Sequence, residues 1–429
     1  MILFLSGKNV PIVSDDSAYA DGYEILIGKT NRSGAASLYT TDVEGMSGCI
    51  AGSGKFVALY GSSASGNAVA AKALISRIKS NASEKEGKAD LTISNVEAVP
   101  ASETIATMTY NIYTGDVSVQ RVELVTEMIL RYFPDVFGVQ EANTTWMGKL
   151  NENFSEYYGS VGNGRDGGSK GEHSAIFYSK ERFELLESGT KWLTDTPDEI
   201  SVVPGSAYRR ICTYALLKDR LTGETICFVN THLDYINAAS YKQVKHLFKI
   251  LLDCGLEDYP IVLMGDMNAG SNTPDIKYMN QMGLTSANDL ADDADGSPNI
   301  DFIMVSGECF DVSYARVCDE TIKGIIPSDH PATYAEFKVV IPLEGIDHDF
   351  REIFSFPDDW LDVEHDESDE YGDMNRAPSF NDAPLPDVPQ FPDDGEEDPP
   401  EENPPSFDED WLEVDQDETG ADFGQLNRP

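Results

Sequence analysis

Positive charge is what this sequence has least of. Lys and Arg total 31 against 75 Asp and Glu over 429 residues, a formal net charge of −44. That balance excludes a generally basic surface for DNA, RNA or anionic lipid, though not a nucleic-acid substrate held through metal ions. Cysteine is sparse as well. Six are scattered along the chain, without the CxxC or Cys/His spacing of a zinc site. Several lie in apolar runs, such as ICTY at 211–214 and ICFV at 226–229, and read as buried free thiols. No stretch reaches the roughly 18 apolar residues of a membrane span. The opening MILFL is too short for a signal-peptide core and lacks a basic flank. Localisation stays open: secreted or cell-surface if the N-terminus is truncated, otherwise cytoplasmic.

What is present is enough for a packed core: 41% hydrophobic and 10% aromatic residues, at a length suited to two or three domains. The acidity is unevenly placed. Residues 341–429 carry 30 acidic residues, three Arg, no Lys and 12 of the 22 prolines. A chain of that composition cannot bury enough apolar surface to offset its ordering entropy, so an acidic, Pro-rich disordered tail is expected. It contains a repeat: SFPDDWLDV at 355–363 returns as SFDEDWLEV at 406–414. Two polar copies are too few for a solenoid. They read as a short linear motif for a protein partner, anchored by Phe356, Trp360 and Leu361 and by Phe407, Trp411 and Leu412.

Residues 1–100 read as a small α/β accessory domain. Strands are expected at 24–28, 55–60 and 90–94, and a helix at 67–79 after a Gly/Ser turn. The pattern resembles the non-catalytic α/β domain that precedes catalytic domains in many bacterial glycoside hydrolases. More strand and helix usually come first there, so an incomplete domain is expected. The Gly/Ser segments at 52–54 and 61–66 lack a following Gly-Lys-Ser/Thr and read as plain turns. Residues 104–340 form one segment with apolar runs at 105–112, 136–140, 175–178, 211–217, 226–229, 260–264, 300–305 and 333–340. Helical patterns intervene at 119–132 and 241–252. The mixture predicts a sheet-rich α/β sandwich.

Four of these runs end in polar groups. One closes on Asn111, one on Gln140-Glu141, one on Asn230, His232 and Asp234, and one on Asp266 and Asn268. If the strands lie side by side, these groups meet on one rim of a sheet. Carboxylate and amide oxygens there suit a hard cation such as Mg²⁺. Alternation puts Asp266 with Asn268, and Asn230 with His232, on one face of their strands. Asp301 lies inside an apolar run, where a lone carboxylate is costly unless partnered. Pairing it with His330, in the turn PSDHP before the last run, fixes an imidazole tautomer and answers both needs.

In that order, Asn111, Gln140-Glu141, Asn230-Thr-His232, Gly265-Asp-Met-Asn268, Ile300-Asp-Phe302 and Ser328-Asp-His330 resemble the endonuclease/exonuclease/phosphatase (DNase-like) superfamily in a bacterial form. The resemblance covers residues 104–340 and implies a four-layer α/β/β/α sandwich. It implies that Asn111 and Glu141 ligate Mg²⁺ (Mn²⁺ being the alternative), with Asp329 at a second metal position. It implies that Asp266 and Asn268 orient the attacking water, that His330, oriented by Asp301, acts at the scissile phosphate, and that His232 is a second histidine partnered by Glu172. Departures are visible. Tyr113 stands where apurinic endonucleases carry an acid, which argues against an abasic-site role. His173 reads as a bystander. Arg209-Arg210 reads as a surface salt bridge, with phosphate contact as the alternative. Residues 191–197 (KWLTDTP) resemble an element common in bacterial members.

The expected function is therefore Mg²⁺-assisted hydrolysis of a phosphodiester by in-line attack of water. A DNA/RNA nuclease and a sphingomyelinase-like phospholipid hydrolase are the alternatives. Residues 104–340 hold 34 acids against 19 bases, which weighs against a nuclease groove. The non-enzyme alternative is a carbohydrate-associated binding or scaffold protein with a vestigial site. A monomer is expected.

Overall fold

Continuous apolar runs and period-2 alternation set the strands, and amphipathic stretches set the helices between them. The computed structural model describes residues 24–30, 36–53, 56–81 and 96–340. First come β1 (Glu24–Ile27), β2 (Gly48–Ser53), β3 (Phe56–Gly61), α1 (Ala64–Asn81) and β4 (Glu97–Val99). They make a sheet of order β1-β3-β2-β4, parallel only at β1/β3, with α1 packed on β2 and β3.

The larger body runs from β5 (Ile105–Asn111) through α2 (Val119–Tyr132), β6 (Val136–Ala142), α3 (Thr144–Phe154), β7 (Tyr158–Val161), β8 (His173–Ser179) and β9 (Phe183–Trp192). Next are β10 (Ile211–Asp219), β11 (Thr225–His232), α4 (Asn237–Asp253), β12 (Ile261–Asp266), α5 (Pro274–Gln281), β13 (Leu284–Ser286) and α6 (Ala287–Leu290). β14 (Asp293–Asp295), β15 (Asp301–Ser306), β16 (Phe310–Cys318) and β17 (Ala332–Val339) complete it.

Two sheets result, of order β14-β16-β17-β5-β6-β8-β7 and β13-β15-β12-β11-β10-β9. Their facing sides pack through Ile105, Val136, Ile176, Phe228, Val262 and Ile303. The outer side of the seven-stranded sheet takes α2 and α3 through Met108, Tyr110, Val125, Ile129, Phe137 and Trp146. The outer side of the six-stranded sheet takes α4 and α5 through Val229, Leu263, Leu247, Phe248 and Ile276. This is the four-layer α/β/β/α sandwich expected from the sequence. All six cysteines are unpaired, five of them buried. No helix among the described residues is long and apolar enough to cross a membrane.

Helix ends follow local chemistry. Ser118 caps α2 by accepting from Arg121 N, and Asn143 caps α3 by accepting from Trp146 N. α3 was not anticipated: its apolar stripe is just Trp146, Leu150 and Phe154, one residue per turn. The strand expected at 90–94 and the tail expected at 341–429 lie outside the described residues.

At the N-terminal ends of β5 and β6, Arg182 ties the two sheets. Its Nε and Nη2 donate to Asp219 Oδ2 at 3.2 and 3.0 Å. Its Nη1 donates to Asp135 Oδ2 at 3.0 Å and Thr104 O at 2.7 Å, and Nη2 reaches Glu103 O at 2.9 Å. The side chains of Arg182 and Asp219 are 5% and 0% exposed. Removing one member of a buried, fully bonded pair leaves the other charge uncompensated. We expect Arg182→Ala to destabilise the fold by about 3–5 kcal/mol, read as a lower urea midpoint. An unchanged midpoint would show that the cluster is dispensable.

Candidate active site

Register brings the site together from separate strands. β11 and β12 pair in parallel with His232 opposite Asp266, and β12 and β15 pair antiparallel with Asp266 opposite Asp301. His232, Asp266 and Asp301 therefore stand in one row across three neighbouring strands. Just before Asp266, Gly265 has φ +152°, and a Cβ there would lie 2.1 Å from Thr231 O. The close approach of β11 and β12 thus requires glycine.

The facing sheet supplies Asn111 and Glu141. The β6/β8 register shifts between Val139 and Ala142, and within that bulge Glu141 sits at φ +61°. A left-handed backbone at a non-glycine residue stores strain, as is common where a side chain is aimed for function. The Glu141 carboxylate accepts from Asn111 Nδ2 at 3.0 Å and Thr114 N at 2.9 Å. Asn111 Nδ2 also donates to Asp266 Oδ2 at 3.0 Å. One amide thus links the carboxylates of both sheets.

His330 arrives on the loop before β17, tied down by Ser328 Oγ donating to Asn111 O at 2.7 Å. Its Nδ1 lies 2.8 Å from Asp301 Oδ2 and 3.8 Å from Asp266 Oδ2. Burial opposes charge on the ring, but Asp301, then Asp266 and Asp329, outweigh it and lift the imidazole to about 10. These carboxylates favour the protonated ring, in which an Nδ1–H faces Asp301. Burial and the neighbouring Asp301 charge push Asp266 up to about 7, against the pull of His330. Asp301 is raised by burial in the same way. Asp266, Asp301 and His330 keep their ligand-capable atoms within 4.8 Å of one another.

His232 has the opposite state. Burial, then the positive charges of Arg210, His330 and Arg165, push it well below its ordinary value. That environment favours the neutral ring, whose Nε2 lies 3.4 Å from Asp266 Oδ2. The expected pairing of His232 with Glu172 is corrected. The Glu172 oxygens accept a bidentate pair from Arg165 at 2.8 and 2.9 Å, because the loop carrying Arg165 folds back beside residue 172. Glu172 and His232 still line one pocket.

The remaining expected residues are placed as follows. Asn268 has φ +48°, donates its N–H to Asp266 Oδ1 at 2.9 Å and its Nδ2 to Leu233 O at 2.9 Å. Asp329 is exposed, and its Oδ1 accepts from Ser328 Oγ at 3.2 Å. His173 is buried with Nδ1 2.9 Å from Ala142 O, steadying the bulge that carries Glu141. Arg209 pairs with Asp166 at 3.0 Å, whereas Arg210 is buried and lines the pocket. Sequence reasoning missed Arg165, which lines that pocket, and Tyr208, whose ring lies beside Arg165 and Arg210. A single Arg in a glycine-rich loop and a Tyr in an irregular one carry no periodic signal.

A model of the endonuclease/exonuclease/phosphatase family matches residues 108–330, and leaves the first hundred residues outside it. No curated protein matches the chain. Among solved structures, an endonuclease/exonuclease/phosphatase family protein from Bacteroides thetaiotaomicron is 26% identical, with a TM-score of 0.51 over 55% of this chain and 97% of that one. A mannosyl-6-phosphatase of Bacteroides thetaiotaomicron is also 26% identical, with a TM-score of 0.51 over 54% of this chain and 99% of that one. A family protein from Bacteroides vulgatus is 25% identical, with the same score over 55% and 99%. With more than half its length inside the family match, this chain belongs to the endonuclease/exonuclease/phosphatase family.

Proposed function

We propose that this chain is a Mg²⁺-dependent phosphoesterase that hydrolyses a phosphodiester by in-line attack of water. The observation that carries the reading is the row His232–Asp266–Asp301, with His330 clamped on Asp301 and Asn111 bridging to Glu141. A vestigial site in a carbohydrate-associated scaffold protein has no need of a buried, mutually bonded set of this kind.

The donor set fits a hard divalent cation. Asp266 and Asp301 bring carboxylate oxygens together, Glu141 is joined to Asp266 through Asn111, and no Lys or Arg is hydrogen-bonded to any of the three among the described residues. Asp301 Oδ1 is buried without a partner. Such oxygens suit Mg²⁺, with Mn²⁺ as the alternative. Glu141 and Asn111 would hold the ion, with Asp329 at a second position. Bound there, it supplies neutralisation of the phosphate charge.

The chain's own groups do the rest. Asp266, with Asn268, orients water and takes its proton. His330, kept charged by Asp301, stabilises the charge that builds on the phosphate oxygens. Neutral His232 offers a ring nitrogen beside Asp266, and Glu172 fixes Arg165 at the pocket wall. On this reading residues 104–340 are the catalytic domain, 1–100 an accessory domain, and 341–429 a tail whose repeated Trp-Leu motif binds a protein partner. A second reading, a phosphomonoesterase, is favoured by the name of the mannosyl-6-phosphatase relative. The net acidity of residues 104–340 argues against a nuclease or a phospholipid hydrolase working on an anionic surface.

The direct test is release of nitrophenolate from bis-p-nitrophenyl phosphate. EDTA should abolish turnover, and Mg²⁺ or Mn²⁺ should restore it. Asp266→Ala and His330→Ala should each lower kcat by about 10²–10⁴. Turnover that survives EDTA, or both substitutions, would reject the reading. Asp301→Asn keeps an acceptor for His330 but removes the charge, so kcat should fall by about 10²-fold with little change in melting temperature. A chain ending at residue 344 should retain full kcat. Lost activity in that chain would place the tail within the catalytic unit.

A further inference from the structure

Asp234 closes the same apolar run as His232 and takes no part in the scheme above. It is fully buried, a costly place for a carboxylate unless donors surround it. Its donors come from the backbone and side chains of two loops. Oδ2 accepts from Ser206 Oγ at 2.5 Å and Tyr208 N at 3.0 Å, and Oδ1 accepts from Ile236 N at 3.0 Å. Gln243 braces the same two loops from α4. Its Oε1 accepts from Asp234 N at 2.8 Å, and its Nε2 donates to Ser206 Oγ at 3.0 Å. The Asp234 loop is also tied to the catalytic row, through Leu233 N donating to Asp266 O and Asn268 Nδ2 donating to Leu233 O, both at 2.9 Å.

What this buried carboxylate holds in place is a pair of exposed tyrosines. Tyr208 is 46% and Tyr235 54% exposed, with ring centroids 6.2 Å apart and planes at 66°. The Tyr208 ring leans on the guanidinium groups of Arg165 and Arg210, which line the candidate pocket. Tyr235 follows His232 by three residues, and beyond Tyr208 its ring meets no aromatic ring or cation among the described residues. Exposed Ile236 stands next to it. The pair therefore borders the pocket on the Arg210 side with open ring surface.

Rigid exposed rings bring the fold little burial, and a buried charge spent on fixing them is unexplained by packing. They bring binding a good deal: tyrosine offers a large amphipathic contact at low cost in side-chain entropy. Rings at 66° form a corner, with one face to stack on and hydroxyl groups at the margin. A ring-shaped ligand has a face to lay against such a corner, whereas an open chain has none. Glu141 and Glu172 in the adjoining pocket disfavour a second negative charge on that ligand, so the ring is neutral.

We infer that Tyr208 and Tyr235 form a subsite for a neutral ring, carried by the alcohol that is esterified to the scissile phosphate, with Asp234 as the positioning residue. This names a substrate class for the proposed site and rests on the phosphoesterase reading. The ring has two sources, a sugar or a nucleobase.

Glycerol 3-phosphate, glucose 6-phosphate and thymidine 5′-phosphate place one phosphate group on three different primary alcohols, the first of them open-chain. Each is tested on the full chain in two ways: as an inhibitor of bis-p-nitrophenyl phosphate turnover with Mg²⁺, and as a ligand that raises the melting temperature of EDTA-treated protein. A ring-bearing compound should bind about tenfold more tightly than glycerol 3-phosphate, the scale expected for stacking on one aromatic side chain. Preference for glucose 6-phosphate assigns the sugar, and preference for thymidine 5′-phosphate assigns the base. Tyr235→Ala and Tyr208→Ala should each bring that ratio down toward one, and Tyr235→Phe, which keeps the ring, should preserve most of it. Asp234→Asn should lower the ratio as well, an effect that lost stability alone does not produce. A wild-type ratio near one in both assays overturns the subsite, and so does a ratio that neither alanine variant moves. Turnover with a ratio near one rejects the subsite and keeps the phosphoesterase reading. Absence of turnover, together with a ring preference in the melting shifts that Tyr235→Ala removes, rejects the phosphoesterase reading and keeps the subsite.

Discussion

Two sheets packed through apolar side chains have no directional bond to fix how far one slides over the other. Buried amides supply that constraint here. Asn230, on β11, donates Nδ2 to Val139 O and Ala175 O of the opposite sheet, at 3.0 and 2.8 Å, and accepts from Gln140 Nε2 at 2.6 Å. A Cβ on Gly138 would come within 2.8 Å of the Asn230 side chain, so glycine leaves the space this amide occupies. Asn111 does the same nearer the rim, spanning Glu141 and Asp266. Buried polar groups are nearly always bonded, and the stacking of the sheets seen here bonds Asn230, Asn111 and the Nε2 of Gln140, whose Oε1 alone stays without a partner. That stacking also sets the distance between the carboxylates of the two sheets. The geometry of the candidate site thus depends on how the core amides are bonded.

The same logic explains what was legible in the sequence. Residues at the ends of apolar runs are readable because strand direction and the two-residue period carry them to one rim. Asn111, Glu141, His232 and Asp266 are all of this kind. The Asp301–His330 pair was readable because a carboxylate inside an apolar strand demands a partner. Arg165, Tyr208 and Arg210 were not readable as a group. Their association depends on two irregular loops, and the hydrogen bonds that shape those loops come from Trp192 and Asp234, in other parts of the chain. The left-handed backbone of Glu141 was equally invisible, since nothing in Gln-Glu-Ala announces a bulge. Helix α2 was readable to its end residues because a serine cap and a strong apolar stripe coincide, whereas α3 offers one apolar residue per turn.

Two histidines in one site are pushed in opposite directions for one reason. His330 faces Asp301, Asp266 and Asp329, and those charges overcome the penalty of burial. His232 faces Arg210, Arg165 and His330 itself, and they add to that penalty. Diverting Glu172 from His232 to Arg165 completes the division. A carboxylate on His232 would restore its basicity. On Arg165 the same carboxylate holds a cation at the pocket wall and leaves His232 neutral.

The chain's −44 charge and its buried Arg210 then answer different questions. Charges in water are screened beyond about 8 Å at physiological ionic strength, whereas a guanidinium inside the pocket acts across low-dielectric material. In that pocket Glu172 offsets Arg165, while Arg210 keeps no bonded acceptor among the described residues. A polyanion must also lay its other phosphates along a surface where acids outnumber bases in residues 104–340 by 34 to 19. Each of those phosphates is repelled, and the counterion release that drives nucleic-acid binding to basic surfaces is not available. On the phosphoesterase reading, global acidity and a local cationic pocket therefore act together.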